Sequence, residues 1–434
     1  MGAGAGDTAR SATAEIRAVA QTDQPRAEAM LSGLLARLFA TPVAGLRINL
    51  DQYSLNSLNG FFTSDGAEFF FKFHQEEGEE AMRGEYYRAE ILAQAGLPVD
   101  QPVHISTLPG EQVLVYRRRA DPRFSDVLYA LDFSDDRAAQ ASAVAAEAAL
   151  NDRILAVAQA TLAPMTAEQS RQEPIHRLFH ERLIDPATGV YPGGRFKRFY
   201  VGQRFAFPGG LCPDWQALKD ARPVINGLEY RRSLAEMFDL SHRRYAPEAL
   251  ADAGGIVAHG DAHNANVWYE RGQPDRLTFF DPAFAGRTVP SLLAEVKSTF
   301  HNIFAHPLWL YNPDEAAARY HASVALTGGR LVIDTDWRPT PLRLALLEAK
   351  ARHFWKPWLA TLKARDMLPP DWEDVIRIGL FLSPMLVMNL NAGAEGSRHN
   401  PVSSAIGLAV ALSLGAPPLR GQDDATRFFD AIRP

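Results

Sequence analysis

Residues 254–286, GGIVAHGDAHNANVWYERGQPDRLTFFDPAFAG, contain two short apolar runs, 256–258 and 277–280, and each delivers polar residues into the turn that follows. His259, Gly260, Asp261 and Asn266 follow the first run, and Asp281 follows the second. Two strands that each end in an acid, joined through a short polar loop, bring two carboxylates and an amide together. Such a trio suits magnesium-dependent phosphoryl transfer, where positioning and charge neutralisation supply most of the catalysis.

The 434 residues leave room for two or three domains with sizeable cores, and 47% hydrophobic with 22% charged content is ordinary for a globular chain. A net charge of −6 argues against general nucleic-acid binding. One cysteine, Cys212, excludes an internal disulfide framework and a cysteine-rich zinc site, and is read as a buried or incidental thiol in a reducing compartment. The first two dozen residues lack the apolar core of a secretory signal and read as a flexible tail. The most apolar later run, 376–390, is too short to span a bilayer and carries Ser383 and Pro384, so it reads as a buried helix. The expected location is the cytoplasm, with neither a membrane nor a nucleic acid as partner.

The chain changes character near residue 118. Residues 24–40 place Met30, Leu31, Leu34, Leu35, Leu38 and Phe39 at helical spacing. Strands are expected over 46–53, 60–63 and 67–73, with Asp65-Gly66 as a hairpin turn, then a helix over 79–95 and a strand over 112–116. Beyond this, helices are expected over 138–162, 174–184, 227–245, 290–304, 313–325, 341–364, 371–390 and 402–414, with proline- or glycine-rich breaks between many of them. The predicted organisation is a tail and leading helix over 1–44, a sheet-rich lobe over 45–116 and a helical lobe over 117–434. The predicted fold class is α+β.

His259-Gly260-Asp261, with Asn266 five residues after the acid and Asp281 fifteen residues beyond that, resembles the catalytic loop and metal-binding acid of the aminoglycoside phosphotransferase and choline kinase superfamily. Lys72 at the end of the third strand and Glu85 in the next helix resemble that family's phosphate-gripping lysine and its ion-pair partner. Ser57 and Asn59 resemble the phosphate-covering turn, although SLNSLNG lacks the paired glycines common there. The resemblance spans roughly residues 45–310. It implies a two-lobed, protein-kinase-like fold with a small antiparallel-sheet N-lobe and a large, mainly helical C-lobe, and ATP and Mg²⁺ as cofactors, with GTP left open as donor. It also implies nucleotide binding along the strand that carries Val115, whose following backbone would meet the adenine edge.

The chemistry of each residue agrees with these roles. Asp261 would accept the acceptor's hydroxyl proton. Asn266 and Asp281 offer one neutral and one charged oxygen to a hard cation. His259 is read as a structural residue that holds the loop, whereas His263 stays open between packing and contact with substrate or phosphate. The acceptor is expected to be a small polar metabolite of sugar, nucleoside or amino alcohol type. Lys297, His301, Asn302, His306, Trp309 and Tyr311 after Asp281, with His180, Arg182, Lys197, Arg198 and Tyr200 before the loop, would make an aromatic, neutral to basic lining that also suits an acid-bearing compound. The alternatives are an aminoglycoside-inactivating kinase and a nucleotide-binding pseudokinase with a regulatory role. A protein kinase is disfavoured because Pro282-Ala283 follows Asp281.

Overall fold

A computed structural model describes residues 12–49, 57–74, 88–305 and 307–434. The chain divides into two compact units, Met1–Glu90 with Val99–Ala120, and Ile91–Pro98 with Asp121–Pro434.

The first unit is built on a five-stranded antiparallel sheet, β1 (Ala44–Asn49), β2 (Ser57–Ser64), β3 (Ala67–His74), β4 (His104–Ser106) and β5 (Val113–Arg117), in the order β1-β2-β3-β5-β4. Asp65 and Gly66 both take positive φ, 47° and 76°, the conformation a tight two-residue hairpin turn needs. Helix α1 (Ala12–Ala20) and helix α2 (Gln24–Phe39) cover one face of the sheet. The Asp23 carboxylate caps α2 by accepting from the Arg26 N–H, and Ala27, Leu31, Leu34 and Leu35 form its buried stripe. They pack with Ile48, Phe62, Phe69, Phe71, Val113 and Val115. The expected flexible tail is thus helical from Ala12, because Ile16 joins this core and the Thr13 N–H donates to Gly110 O at 3.0 Å.

The second unit is mainly helical. Its long helix α5 (Arg137–Thr161) follows α3 (Ala89–Ala95) and α4 (Phe124–Asp132), and is capped by the Asp136 carboxylate. Strand β8 (Gly255–Ala258) packs on α5 and pairs antiparallel with β11 (Gly286–Pro290), while β9 (Val267–Glu270) pairs antiparallel with β10 (Arg276–Phe279). The helices Trp372–Val387 and Pro401–Gly415 pack against each other and are almost wholly buried. Among the described residues no helix is long and apolar enough to cross a membrane.

Several expected elements differ. Residues 174–184 form two 3-10 turns, Pro174–Leu178 and His180–Arg182, in place of one α-helix. The helix expected over 313–325 stops at Arg319, and residues 322–327 become β12 (Ala322–Thr327), which pairs with β13 (Arg330–Thr335) through a Gly328-Gly329 turn. This hairpin joins β6 (Arg222–Ile225) and β7 (Leu228–Glu229) in a sheet of order β12-β13-β6-β7. The helices expected over 290–304 and 341–364 contain π-helical turns, Phe300–Phe304 and Ala351–Trp355. Cys212 is exposed, not buried.

Candidate active site

The loop after β8 depends on Gly260, whose φ is +77° and whose missing Cβ would lie 2.4 Å from Phe284 O. No other residue fits there without displacing backbone. His259 is buried and fastens both halves of the site. Its Nε2 donates to Phe280 O at 3.0 Å, one residue before Asp281, and its Nδ1 accepts from the Asp261 N–H at 3.3 Å. Burial lowers the His259 pKa, which keeps the neutral ring that this pattern requires. A further tie is the Phe280 N–H, which donates to Asn266 O at 2.9 Å.

Asn264–Asn266 forms a 3-10 turn that leads into β9. The Asn266 side-chain amide donates to Asp261 O at 3.0 Å, which leaves its carbonyl oxygen as the acceptor available to a cation. Asp281 has φ +53°, a conformation uncommon for residues other than glycine and frequent where backbone is held for function. Asn266 and Asp281 could offer a cation one neutral and one charged oxygen. A site with so few protein oxygens suits a cation that keeps several waters and takes further oxygens from phosphates. No group of three or more His, Cys, Asp or Glu residues suited to a metal ion occurs among the described residues.

Asp261 lies among basic groups. Lys297 Nζ is 3.7 Å from its Oδ1 and His263 Nε2 is 3.7 Å from its Oδ2. Burial alone would raise the Asp261 carboxyl, but Lys297, His263, His259 and Arg182 together hold it below the ordinary value. The buried Oδ1 has no hydrogen-bond partner among the described residues. Burial lowers Lys297 to about 8, opposed by Asp261 and reinforced by Arg182 and Arg195. The His263 ring stacks on His301 with centroids 5.1 Å apart, and burial lowers both imidazoles, so neither carries charge at neutral pH. His301 belongs to the π-turn Phe300–Phe304, a distortion frequent at functional sites. In the same turn, Asn302 Oδ1 accepts from the Asn264 N–H at 2.8 Å.

The other expected residues separate into groups. Lys72 is 8% exposed and lies in register between Asn59 and Leu114, on the sheet face opposite the buried Phe69 and Phe71. Ser57 and Asn59 belong to β2 itself and not to the preceding turn, because pairing with β3 extends to His74; Asn59 Oδ1 accepts from the Asn49 amide at 2.9 Å. Residues 50–56, between β1 and β2, lie outside the described residues, as do Glu85 and His306. Val115 is fully buried between β3 and β4, and its carbonyl already accepts from the Val103 N–H at 2.7 Å. That bond is made by Val115 itself, and the residues that follow it, Tyr116 and Arg117, pair with Phe70 and Phe69 of β3. Trp309 and Tyr200 are core residues whose polar atoms donate to Phe304 O and Met385 O, and Lys197 and Arg198 point to solvent. Lys297, His301 and Arg182 do belong to the surroundings of Asp261, and Arg195, which sequence reading passed over, joins them.

No family model matches the chain, and no curated protein does. Among solved structures, it is similar to a thermostable mutant of an aminoglycoside phosphotransferase in complex with ADP and hygromycin B, at 13% identity and a TM-score of 0.44, covering 89% of this chain and 99% of that one. It is also similar to spectinomycin phosphotransferase with ADP and spectinomycin, at 11% identity and a TM-score of 0.38 over 89% and 97% of the two chains. A Plasmodium vivax ethanolamine kinase follows at 11% identity and a TM-score of 0.37 over 94% and 87%. Likenesses this distant leave the chemistry to the residues described above.

Proposed function

We propose that the chain transfers the γ-phosphoryl group of ATP to a hydroxyl of a small polar metabolite, with magnesium. The observation that carries this reading is the Asp261 Oδ1 atom, a buried carboxylate oxygen without a hydrogen-bond partner among the described residues, kept ionised by Lys297. Such an oxygen is ready to accept a hydroxyl proton. In the reaction the hydroxyl oxygen forms the new bond to the γ-phosphorus. The bond from that phosphorus to the bridging oxygen breaks, its electron pair leaves with ADP, and the hydroxyl proton passes to Asp261. Asn266 and Asp281 would hold the magnesium, whose chemistry is to neutralise charge on the phosphates. Lys72 would grip the nucleotide phosphates.

The test is a mass-detected screen for ATP-dependent phosphorylation of sugars, nucleosides, amino alcohols, hydroxy acids and aminoglycosides. Asp261→Ala should keep nucleotide binding and lose at least about 10³-fold in turnover. Near-normal turnover in that variant would remove Asp261 from the mechanism. ATP binding by the unaltered chain with no transfer to any acceptor would favour the pseudokinase reading instead.

A further inference from the structure

Lys297 and His301 stand four residues apart, where the helix Val296–Thr299 runs into the π-turn Phe300–Phe304, so both side chains leave the same face. That face meets the catalytic loop. Lys297 Nζ lies 3.7 Å from Asp261 Oδ1, and the His301 ring stacks within 17° of parallel on His263, whose Nε2 lies 3.7 Å from Asp261 Oδ2. The chain then folds back on itself. Trp309 is fully buried, its indole N–H donates to Phe304 O at 2.9 Å, and its ring meets Phe300 edge-on with centroids 6.3 Å apart. These contacts fasten the helix Pro307–Tyr311 to the π-turn and bring the Tyr311 ring within 6.4 Å of the His301 ring, centroid to centroid.

His263, His301 and Tyr311 therefore form a row of rings that begins beside the Asp261 carboxylate. Its inner end is covered and its outer end is open, since the His263 side chain is 19% exposed and Tyr311 is 50% exposed. Burial, with the Asp261 charge adding to the effect, raises the Tyr311 phenol above its ordinary value, as expected when the hydroxyl end points inward and the rest of the ring stays open. What the row offers a ligand is a flat π surface. The C–H bonds on one face of a sugar or cyclitol ring are apolar, and their slightly positive hydrogens match the negative face of an aromatic ring. A closed ring also holds that face in one shape, whereas an open-chain polyol gives up rotamer freedom to present it.

We propose that the acceptor is an uncharged cyclic polyol, a sugar or a cyclitol, that packs one C–H face on the Tyr311 ring while one of its hydroxyls meets Asp261. This rests on the phosphotransfer reading above and narrows its substrate class, with Tyr311 as a specificity-determining residue. The Asp261–Lys297 pair is the reason for an uncharged ring. An ammonium group beside the transferred hydroxyl would meet Lys297 and a carboxylate there would meet Asp261, so attraction to one member is offset by repulsion from the other.

The test uses the unaltered full chain with Mg-ATP and acceptors on one carbon skeleton: a hexopyranoside, the open-chain hexitol, the amino sugar and the uronic acid, with a cyclitol as a second neutral ring. The expected result is transfer to the pyranoside or the cyclitol with kcat/KM at least about 10-fold above the hexitol, the amino sugar and the uronic acid. Tyr311→Ala should raise the KM for the ring acceptor by about 10-fold or more with a smaller change in kcat. Tyr311→Phe, which keeps the ring, should recover most of that loss, and Leu419→Ala, at an equally exposed apolar position, should leave KM unchanged. Equal transfer to pyranoside and hexitol, preference for either charged sugar, or an unchanged KM in Tyr311→Ala overturns the proposal and leaves phosphotransfer standing. Transfer to none of the five overturns it as well, and the broader screen then decides whether phosphotransfer survives. Because the acceptor preference is read on the unaltered protein, loss of folding in a Tyr311 variant does not remove the test.

Discussion

Lys297 Nζ stands 3.7 Å from Asp261 Oδ1, beyond hydrogen-bond length, so the two are an ion pair whose near oxygen still has room for a donor. The pair makes activity depend on pH at both ends. Above about pH 8 Lys297 loses its proton, and turnover should fall with an apparent pKa near that value. Lys297→Arg should move this limb to higher pH. Lys297→Gln should abolish it and shift the acid limb upward, because Asp261 loses a cation that keeps it ionised. Stability changes in the opposite sense. The folded-state pKa lies below the ordinary 10.5, so the unfolded chain binds the extra proton between about pH 8 and 10.5. Lys297 therefore weakens the fold below that window, and the penalty falls away as pH rises through it. Profiles of pH against rate for the three proteins check the activity side, and denaturant midpoints of the unaltered chain and Lys297→Gln across the window check the stability side.

His259 contributes by holding the two acid-bearing loops together, not by exchanging protons. His259→Ala leaves Phe280 O and the Asp261 N–H without their partner, and should cost about 1–3 kcal/mol in stability. Activity should fall by about 10–100-fold, the usual consequence of removing a group that orients a catalytic site. Chemical denaturation and steady-state rates measure the two losses. A pH profile of the unaltered protein should contain no limb that disappears with this variant.

A second layer positions the loop from behind. Asn302 Oδ1 accepts from the Asn264 N–H, and Asn302 O accepts from Arg343 Nη1 at 2.5 Å. Arg343 in turn donates through Nε and Nη2 to Asp132 Oδ2 at 3.0 and 2.7 Å, with both side chains almost fully buried. Asp132→Ala should leave an uncompensated buried guanidinium and destabilise the protein by about 3–5 kcal/mol. Replacing both partners with apolar residues, Asp132→Leu with Arg343→Met, should cost less than that single change. A double-mutant cycle read by denaturant unfolding gives the coupling.

The site was legible in sequence where chemistry follows local order. His259, Asp261, Asn266 and Asp281 all lie within one stretch in which strand ends dictate where polar residues emerge. Lys297 beside Asp261 needs a helix turn that packs back on the loop, which no periodicity reveals. The fold shows the same division. Leu31, Leu34 and Leu35 announce α2, whereas the hairpin β12–β13 was masked by the alanine run at 316–318 before it. Its own signal, an apolar and polar alternation around Gly328-Gly329, was present. A strand's sequence does not tell whether its edges are open, and Val115 itself pairs with Phe71 of β3 and His104 of β4.

Asp281 separates charge from backbone geometry. At φ +53° an asparagine is tolerated almost as well as the native acid, so Asp281→Asn changes the charge and little else. If Asp281 holds the magnesium, this variant should need at least about 10-fold more magnesium for half-maximal ATP binding, with thermal stability nearly unchanged. Asp281→Val adds a β-branched side chain in the same conformation and should lose stability as well, by about 1–3 kcal/mol. Titrating magnesium against ATP binding in all three proteins, alongside their melting curves, distinguishes the two effects. An Asp281→Asn protein with the unaltered magnesium requirement would assign the residue to the turn alone. The metal would then have to be sought at other oxygens of the site.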